Sequence, residues 1–274
     1  MDTTMNIMQD FILPISENIP KIYEKGRTDG RKEGYNDGYT DGYNVGKAES
    51  VEPGVVYFNN EYQDNGNRTD YSNAYAGAGW PEHLFRPQHD MVPTNAYMMF
   101  RGNPLNVDLV EYLENLNIKL DFSKSTNTQY LFNASNFTRI GVIDFRGSTN
   151  STPGDGAFAN NRNLVTIDKI YIKTGSSAEF NSSFNNCVAL ENIVLEGTIT
   201  KNGFNVQHST KLSKATLINI VNVLSTTTSG TSITVSKAAV NKAFETAEGA
   251  NDGSTSSEWT TLIATRSNWT INLV

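Results

Sequence analysis

Apolar positions recur with a long, regular period in the second half of the chain. Three phenylalanines stand 26 residues apart, and leucines and isoleucines follow each of them at matching offsets. A period of roughly 20 to 30 residues with one short strand per unit is typical of stacked repeats, in which each unit buries its apolar side against the next. The predicted repeat core consists of Phe132, Phe158, Phe184, Leu164, Leu190, Ile167, Ile193, Ile170, Ile172 and Leu195.

Each repeat contains a short alternation of apolar and polar residues, which predicts a β-strand with one buried face. Because strands at equivalent positions of stacked units become neighbours, we expect them to form one parallel sheet. A similar alternation in residues 117–122 predicts an earlier strand. The apolar pairs that define the sheet are Ile143/Phe145, Ile170/Ile172 and Ile193/Leu195.

The repeat ends near residue 210, where the apolar spacing becomes that of a helix. Ser213 is a suitable N-cap for this helix. The apolar side of the helix is formed by Leu217, Ile220, Val221 and Leu224. A strand in SITVS, a polar helix at about 237–248 and a last strand in WTINLV follow. We interpret residues 210–274 as an α/β cap that shields the last apolar face of the repeats from water.

The first 50 residues carry a different helical pattern. Isoleucines recur at spacings of three and four, and a glycine then occupies every fourth position. On a helix these glycines would form one groove with tyrosines beside it. The groove consists of Gly26, Gly30, Gly34, Gly38, Gly42 and Gly46, and the flanking residues are Tyr35, Tyr39 and Tyr43.

This glycine series predicts a packing partner. Each glycine costs an isolated helix about 0.8 to 1 kcal/mol relative to alanine, so a lone helix of this composition is not expected to be stable. Glycines allow a second backbone to approach closely, and tyrosines can pack over it. We predict that residues 1–50 form a helical anchor that oligomerises or docks on another protein. A flexible glycine-rich tether is the alternative.

Residues 51–105 are rich in aromatic residues and turn formers, and they show no lasting period. We interpret this region as an irregular connector whose aromatic side chains pack a small core. A platform for sugar rings is the alternative. The aromatic residues in question are Tyr57, Phe58, Tyr62, Tyr71, Tyr75, Trp80 and Phe85.

Composition excludes several classes of function. The 274 residues have a formal net charge of −7, so we do not expect nucleic-acid binding, which needs clustered lysine and arginine. No apolar run approaches the roughly 18 to 20 residues of a membrane span, and the N-terminus lacks the features of a secretion signal. Membrane insertion is therefore not expected. Cys187 is the only cysteine, which excludes an intramolecular disulfide and predicts a small buried residue.

Candidate catalytic groups are few. Asp144 and Asp168 occupy comparable places in consecutive repeats, with Asp121 one strand earlier, and paired carboxylates are what a glycosidase requires. Alternation along the strands explains them more simply as solvent-facing residues, which is the interpretation we favour. The histidines are too scattered for a metal motif: His83, His89 and His208.

The Asp-Gly steps in the glycine series raise the question of calcium binding. Their four-residue spacing fits neither the 12-residue loop of an EF-hand nor the nine-residue calcium β-roll. We therefore predict no enzyme activity, no cofactor and no metal site.

Residues 184–197, FNNCVALENIVLEG, resemble the BspA-like subclass of leucine-rich repeats. Other segments are similar to a group of proteins encoded by phages and prophages of Gram-positive bacteria, and this resemblance covers most of the chain from about residue 51 to 274. These segments are NGNRTDY (65–71), FRPQHDMVPTNAYMMF (85–100), LDFS (120–123), RIGVIDFR (139–146) and NLVTIDKI (163–170). The resemblance implies a tail, baseplate or fibre component, and it carries no catalytic residues.

The residues and the resemblance together predict a mixed α and β fold. An N-terminal α-helical segment (1–50) and a connector (51–105) would precede a leucine-rich-repeat β-solenoid with a C-terminal α/β cap (106–274).

The expected function is that of a phage virion structural protein of the tail or baseplate fibre type, made in the cytoplasm of the bacterial host. Its N-terminal segment would bind other virion proteins and, as the resemblance to fibres implies, form a homotrimer. Its repeat domain would recognise a host-surface glycan or protein. The alternatives are a purely architectural virion protein, a bacterial BspA-like surface adhesin and a glycan depolymerase.

Overall fold

Two small parallel sheets and four short α-helices form the regular structure of the described residues, together with one 3-10 turn. The structure is a computed structural model that describes residues 68–76, 87, 89–149, 154–173, 180, 182–245 and 252–274. All of these belong to one compact unit. The predicted helical anchor, with its glycine series and flanking tyrosines, lies outside the described residues.

The first sheet contains the strands predicted from the repeats. In order, its parallel strands are β1 (Arg139–Asp144), β2 (Thr166–Tyr171) and β3 (Asn192–Glu196). Buried Ile143 pairs with Ile170, which pairs with Leu195. The prediction of one parallel sheet for these strands is confirmed. Phe145 and Ile172 lie one residue beyond the ends of β1 and β2.

A column of stacked aromatic rings runs through the core beside this sheet. Neighbouring ring centroids lie 5.1 to 6.1 Å apart and the ring planes differ by 1° to 20°, a stacked arrangement that is favourable for aromatic pairs. This aromatic column consists of Tyr75, Phe100, Phe132, Phe158 and Phe184. The three repeat phenylalanines thus lie in the core, and the column continues into two earlier aromatics across residue 105.

Four rings of the aromatic column lie on turn segments with one recurring backbone shape. In each segment, two residues with positive φ bracket the ring, and most of them are not glycine. Such residues are uncommon, so their recurrence shows that the same turn is repeated. At Gly156 glycine is required, because a Cβ there would lie 2.5 Å from Cε1 of Tyr130. The bracketing pairs are Met98/Gly102, Tyr130/Ala134, Gly156/Asn160 and Ser182/Asn186.

The predicted leucine-rich-repeat β-solenoid is wrong. The first sheet stops after three strands, and the second sheet is separate from it. Helices occupy the places where further strands would pair. Helix α1 (Leu109–Asn115) packs beside β1, and helix α2 (Lys214–Asn222) packs beside β3.

Side chains of α2 end the sheet at β3. The Asn219 side-chain oxygen accepts a hydrogen bond from the Leu195 N–H at 2.7 Å, and its amide nitrogen donates to the Leu195 carbonyl at 3.1 Å. The hydroxyl of Thr216 accepts from the Ile193 N–H at 3.1 Å. These two side chains satisfy backbone groups that a fourth strand would otherwise bind, so the sheet does not continue.

The opposite edge of the sheet ends in a similar way at β1. Asp108 forms a single bridge with Arg139. The Asp108 carboxylate then accepts hydrogen bonds from the N–H groups of Val110 and Glu111, which makes it the N-cap of α1. A capped helix begins where another strand would have to extend.

The predicted strand in residues 117–122 is also wrong. Leu120 forms only an isolated bridge with Met91. Two hydrogen bonds flank this bridge, from the Met91 N–H to the Lys119 carbonyl and from the Asp121 N–H to the Met91 carbonyl. Because the opposing segment pairs at one residue only, a strand does not form.

The second sheet is built from C-terminal strands. In order, these parallel strands are β4 (Asn205–Val206), β5 (Thr231–Val235) and β6 (Trp269–Leu273). They confirm the strands predicted in SITVS and WTINLV. The predicted helix after Ser213 is confirmed as α2, because the Ser213 hydroxyl accepts a hydrogen bond from the Thr216 N–H. Leu224 lies beyond the end of this helix.

Helix α3 (Lys237–Ala243) starts where predicted but ends before residue 248. The 3-10 turn Gly253–Thr255 and helix α4 (Ser257–Ala264) were not predicted. Their sequence is mostly polar, and Trp259 supplies the main anchor by packing against Phe244 with ring centroids 5.1 Å apart. Within the described residues, no helix is both long enough and apolar enough to cross a bilayer.

Candidate ligand-binding cleft

A polar cleft of about 280 Å³ opens where the aromatic column meets the second sheet. One wall is the turn segment that carries Phe184, and the others are residues 203–208 and strand β5. We call it the column-end cleft. None of the described residues that line it is a lysine, arginine, aspartate or glutamate: Ser182, Asn185, Gly203, Phe204, Asn205, Gln207, His208, Ser232 and Thr234.

Strand β5 presents two hydroxyl groups to the column-end cleft. Ile233 and Val235 are buried, so alternation directs Ser232 and Thr234 to the opposite face, where both line the cleft. The Thr234 N–H donates to the Phe204 carbonyl at 3.0 Å, which fixes β5 against the adjacent wall. The positions of these hydroxyls therefore follow from strand geometry.

Backbone hydrogen bonds join successive turn segments of the aromatic column, and they all run in one direction. In each segment the N–H of the ring residue donates to a carbonyl of the following segment, at 2.7 to 3.1 Å. The bonds in question run from Phe100 to Leu131, from Phe132 to Ala157 and from Phe158 to Ser183. The N–H of the residue two positions after each ring also donates to a carbonyl of the following segment. The donors therefore point along the column toward its C-terminal end.

The last turn segment has no following turn to receive its donors. The Asn186 N–H donates instead to Nδ1 of His208, at 3.4 Å. Among the described residues, the N–H groups of Ser182 and Phe184 have no acceptor. Phe184 is fully buried and does not line the column-end cleft, whereas Ser182 does. Because Ser182 is exposed, its N–H can donate to water or to a ligand that supplies an acceptor.

Local hydrogen bonds hold the polar side chains of the opposite wall. Because Nδ1 of His208 accepts a hydrogen bond, its neutral ring carries the proton on Nε2. The Gln207 side-chain nitrogen lies 3.4 Å from Nε2 of His208, and the amide accepts a hydrogen bond from the Nε2–H in the flipped orientation, with its oxygen in place of that nitrogen. The Asn205 side-chain oxygen accepts from the Gln207 N–H at 2.9 Å. The wall is thus preformed.

This arrangement suits an uncharged polar ligand. Amide, hydroxyl and backbone N–H groups can exchange hydrogen bonds with water for hydrogen bonds with such a ligand. A charged ligand would lose water without meeting an opposite charge among the described lining residues. Within the described part of the chain, no group of three or more His, Cys, Asp or Glu side chains is arranged to hold a metal ion.

The aspartates considered as a carboxylate pair are bound by different arginines. Asp144 binds Arg146 at 2.6 Å, and Asp168 binds Arg139 at 2.7 Å. Hydrogen bonds to these carboxylates raise the pKa of both guanidinium groups. The expectation that Asp144 faces solvent is wrong, because this residue is 6% exposed and Arg146 lies over it. Asp121 accepts a backbone hydrogen bond instead.

The outer face of the first sheet carries charges that neutralise one another. The Arg146 guanidinium lies 4.1 Å from the ring centroid of Tyr171, and the Lys169 ammonium lies 5.2 Å from it. Lys169 also binds Glu196 at 2.9 Å. Each of these charged groups already has a partner within the chain, so the face is less suited than the cleft to bind a ligand.

Other residues singled out in the sequence lie away from the cleft. Cys187 is fully buried, and burial raises the pKa of its thiol to about 12, so it is protonated and unreactive near neutral pH. Tyr71 and Tyr75 are buried in the core, which excludes them from a sugar platform. His89 is exposed at the surface. His83 and the other connector aromatics lie outside the described residues.

Sequence reasoning missed the column-end cleft. His208 was recognised only as a scattered histidine, and Ser232 and Thr234 only as polar strand positions. The alternation in TSITV was the one available signal, since it places two hydroxyls on one face. The Ser182 donor is a backbone N–H group, which leaves no mark in the sequence.

Comparison of the chain with protein-family models, with curated proteins and with solved structures finds no match.

Proposed function

We propose that this chain is a phage virion structural protein of the tail or baseplate fibre type, which presents the column-end cleft to a ligand on the host surface. One observation carries the proposal. The described lining residues of the cleft are uncharged, and one of them, Ser182, has a backbone N–H without an acceptor among the described residues, at the end of a stacked scaffold. Such a site favours binding of a neutral polar ligand, and its described lining residues include no carboxylate pair of the kind that cleaves glycosides.

A preformed cleft is well suited to recognition. The ring stack and the one-directional hydrogen bonds hold the turn segment of Phe184 in place, and Asn205 and His208 are held by bonds of their own. Little conformational freedom is then lost when a ligand binds, which favours affinity.

The resemblance to phage proteins supports the virion part of the proposal. Residues 139–146 and 163–170, which carry part of that resemblance, form β1 and β2 and their flanks. The N-terminal segment would attach the protein to other virion proteins and join three copies. The proposed location is the tail or baseplate of the particle.

The first test asks where the protein resides. Antibodies against the full-length chain should label purified phage particles from the producing bacterium, and mass spectrometry should find the chain among their tail proteins. Detection in the bacterial envelope, with none in particles, would favour the adhesin alternative and overturn the proposal.

The second test asks what the protein binds. Labelled full-length protein should bind susceptible host cells, and Asn205→Ala should weaken that binding. Asn192→Ala, which removes an exposed amide from β3, is the matched control and should bind as the parent does. A particle protein that binds no host cells would be purely architectural. Release of reducing ends from host polysaccharide would instead indicate a depolymerase.

A further inference from the structure

We infer that strand β6 is an interface between two copies of this chain, which pair edge to edge and antiparallel about a two-fold axis at Asn272. The inference goes beyond the proposed function, because it concerns the partner of the second sheet and not the ligand of the cleft. It follows from the juxtaposition of an unpaired strand edge with an uncharged, partly exposed row of side chains.

Strand β6 has a free edge in the described part of the chain. It is the last strand of its sheet, and of the described helices and strands only β5 packs extensively along it. The Val274 N–H donates to the Val235 carbonyl at 3.1 Å, and the Val274 carbonyl accepts from the Lys237 N–H at 2.8 Å. Because successive residues of a strand direct these groups to opposite sides, the N–H and carbonyl of Ile271 and of Leu273 point to the free edge.

The other edges of the two described sheets are protected, and this one is not. Asn219 and the helix cap at Asp108 block the edges of the first sheet, and β4 is only two residues long. Proteins also protect exposed edges with charged side chains, proline or a bulge. Residues 269–274 contain no charged side chain and no proline, and their register with β5 is regular throughout. An edge of this kind favours pairing with another strand.

The apolar face of the second sheet is incompletely covered at β6. Ile233 and Val235 in β5 are each 1% exposed, whereas their neighbours Ile271 and Leu273 in β6 are only half-buried. Val274, which continues the pairing with β5, is 66% exposed. A further strand beside β6 would cover these side chains and so remove apolar surface from water.

A second copy of β6 satisfies the free edge in one register. The Trp269 N–H already donates to the Arg266 carbonyl at 2.9 Å, so Ile271 and Leu273 are the residues of β6 that offer both a donor and an acceptor. When Ile271 of one copy lies opposite Leu273 of the other, both residues exchange N–H and carbonyl hydrogen bonds in each copy. Asn272 then lies opposite its own counterpart. Self-complementary interfaces of this kind are the commonest in homo-oligomers.

The side chains agree with the same register. Ile271 packs beside Leu273 of the other copy on the core-facing side, and Thr270 lies beside the exposed Val274 on the opposite side. Like charges do not meet along the strand, because residues 269–274 carry no charged side chain. Hydrogen bonds, apolar pairs and charge thus favour a second copy of this strand as the occupant.

Pairing in this register would place two column-end clefts on one side of a continuous sheet. The two-fold axis is perpendicular to the sheet, so Ser232 and Thr234 face the same way in both copies. Adjacent strands lie about 4.8 Å apart, so the two copies of β5 would lie roughly 14 Å apart. Provided that the cleft binds a ligand as proposed, this arrangement raises avidity for a ligand with repeated units. It would also link neighbouring trimers of the proposed fibre.

Disulfide cross-linking of the full-length protein tests the register. Asn272→Cys places two thiols at the two-fold axis, where the Cα atoms of the pair lie about 4.5 Å apart. Thr270→Cys is the matched control, because Thr270 is also exposed on this face but its two copies would lie roughly 14 Å apart. Cys187 is fully buried and does not compete. Under mild oxidation, Asn272→Cys should form the linked dimer about tenfold faster than Thr270→Cys or more.

Sedimentation velocity of the full-length protein tests the pairing itself. Asn272→Lys places two ammonium groups opposite each other and should weaken the association about tenfold, so this variant should sediment as a smaller assembly than the parent. Thr270→Lys keeps the ammonium groups roughly 14 Å apart, beyond the Debye length of about 8 Å at physiological salt, and should sediment as the parent does. Far-ultraviolet circular dichroism checks that both variants are folded.

The outcomes separate this inference from the proposed function. Failure of Asn272→Cys to cross-link, equal cross-linking by Thr270→Cys, or unchanged association of Asn272→Lys would overturn the inference. If the protein still labelled host cells and resided in particles, the proposed function would stand. If the copies paired through β6 but the chain were absent from particles, the inference would hold and the virion proposal would fail.

Discussion

The Asn219 side chain makes hydrogen bonds with β3 that a fourth strand would otherwise make, so its removal should lower the stability of the fold. Its amide binds both the N–H and the carbonyl of Leu195, at 2.7 and 3.1 Å. Leu195 is 2% exposed, so water does not readily replace the lost partners. Asn219→Ala therefore leaves the N–H and the carbonyl of buried Leu195 without these hydrogen bonds.

The magnitude follows from these contacts. An unsatisfied buried polar group costs about 1 to 3 kcal/mol, so two such groups cost roughly 2 to 4 kcal/mol after partial relaxation. Alanine is the better helix former by about 0.5 kcal/mol, which offsets a small part. We expect Asn219→Ala to lower the free energy of unfolding by about 2 to 3 kcal/mol, which shifts the urea midpoint by about 1 M.

Equilibrium unfolding in urea is the assay, followed by the fluorescence of the buried Trp259 and Trp269. The matched control is Asn222→Ala, at the exposed end of the same helix. Among the described residues the Asn222 side chain has no hydrogen-bond partner, so the control reports helix propensity alone. If the two variants unfolded within about 0.5 kcal/mol of each other, Asn219 would not be what ends the first sheet.

Three further predictions concern the core and the N-terminal segment. Phe158→Ala removes a fully buried ring from the aromatic column and should lower the free energy of unfolding by about 3 to 5 kcal/mol, as measured in urea; a loss under 1 kcal/mol would contradict a packed column. Burial raises the pKa of Cys187 to about 12, so the folded chain keeps a proton that the unfolded chain releases above its ordinary value of 9.0. This contribution to stability is complete below pH 9.0 and is lost between pH 9.0 and 12, at about 1.4 kcal/mol per pH unit. The Cys187→Ala variant lacks the thiol, so the difference in free energy of unfolding between the parent and this variant should shrink between pH 8 and pH 10. The double change Gly34→Leu and Gly38→Leu should reduce the oligomer size in light scattering and leave the far-ultraviolet spectrum of the C-terminal region intact, whereas a tether would tolerate it.

Local patterns predicted individual elements better than they predicted the architecture. The Ser213 cap and the apolar spacing after it indicated α2, and alternation indicated β5. Both signals depend on residues close together in the chain. The solenoid was wrong because repeated strands were assumed to continue the sheet. Helices at positions with weaker sequence patterns, such as α1, occupied the edges instead.

The site illustrates the same difference. Polar strand positions such as Thr234 can be identified from alternation, but nothing in the sequence says that they face the end of the aromatic column. The unpaired donor of the cleft is the backbone N–H of Ser182, and almost every residue carries such a group, so the sequence does not single it out. Whether this N–H has an acceptor depends on which segment packs against the last turn of the aromatic column. Residues 203–208 pack there as a short strand and turn and not as another repeat turn.

By itself, the sequence determined the 26-residue spacing of the rings, the parallel strands of the first sheet and the capped helix that follows. These features come from the spacing of apolar residues along the chain, which can be recognised without knowing where a strand or helix lies in the fold. Only the tertiary structure decided where the sheet stops and where donors are left unpaired. Both depend on contacts between distant residues, Asn219 with Leu195 and His208 with Asn186, whose energies exist only once the chain has folded.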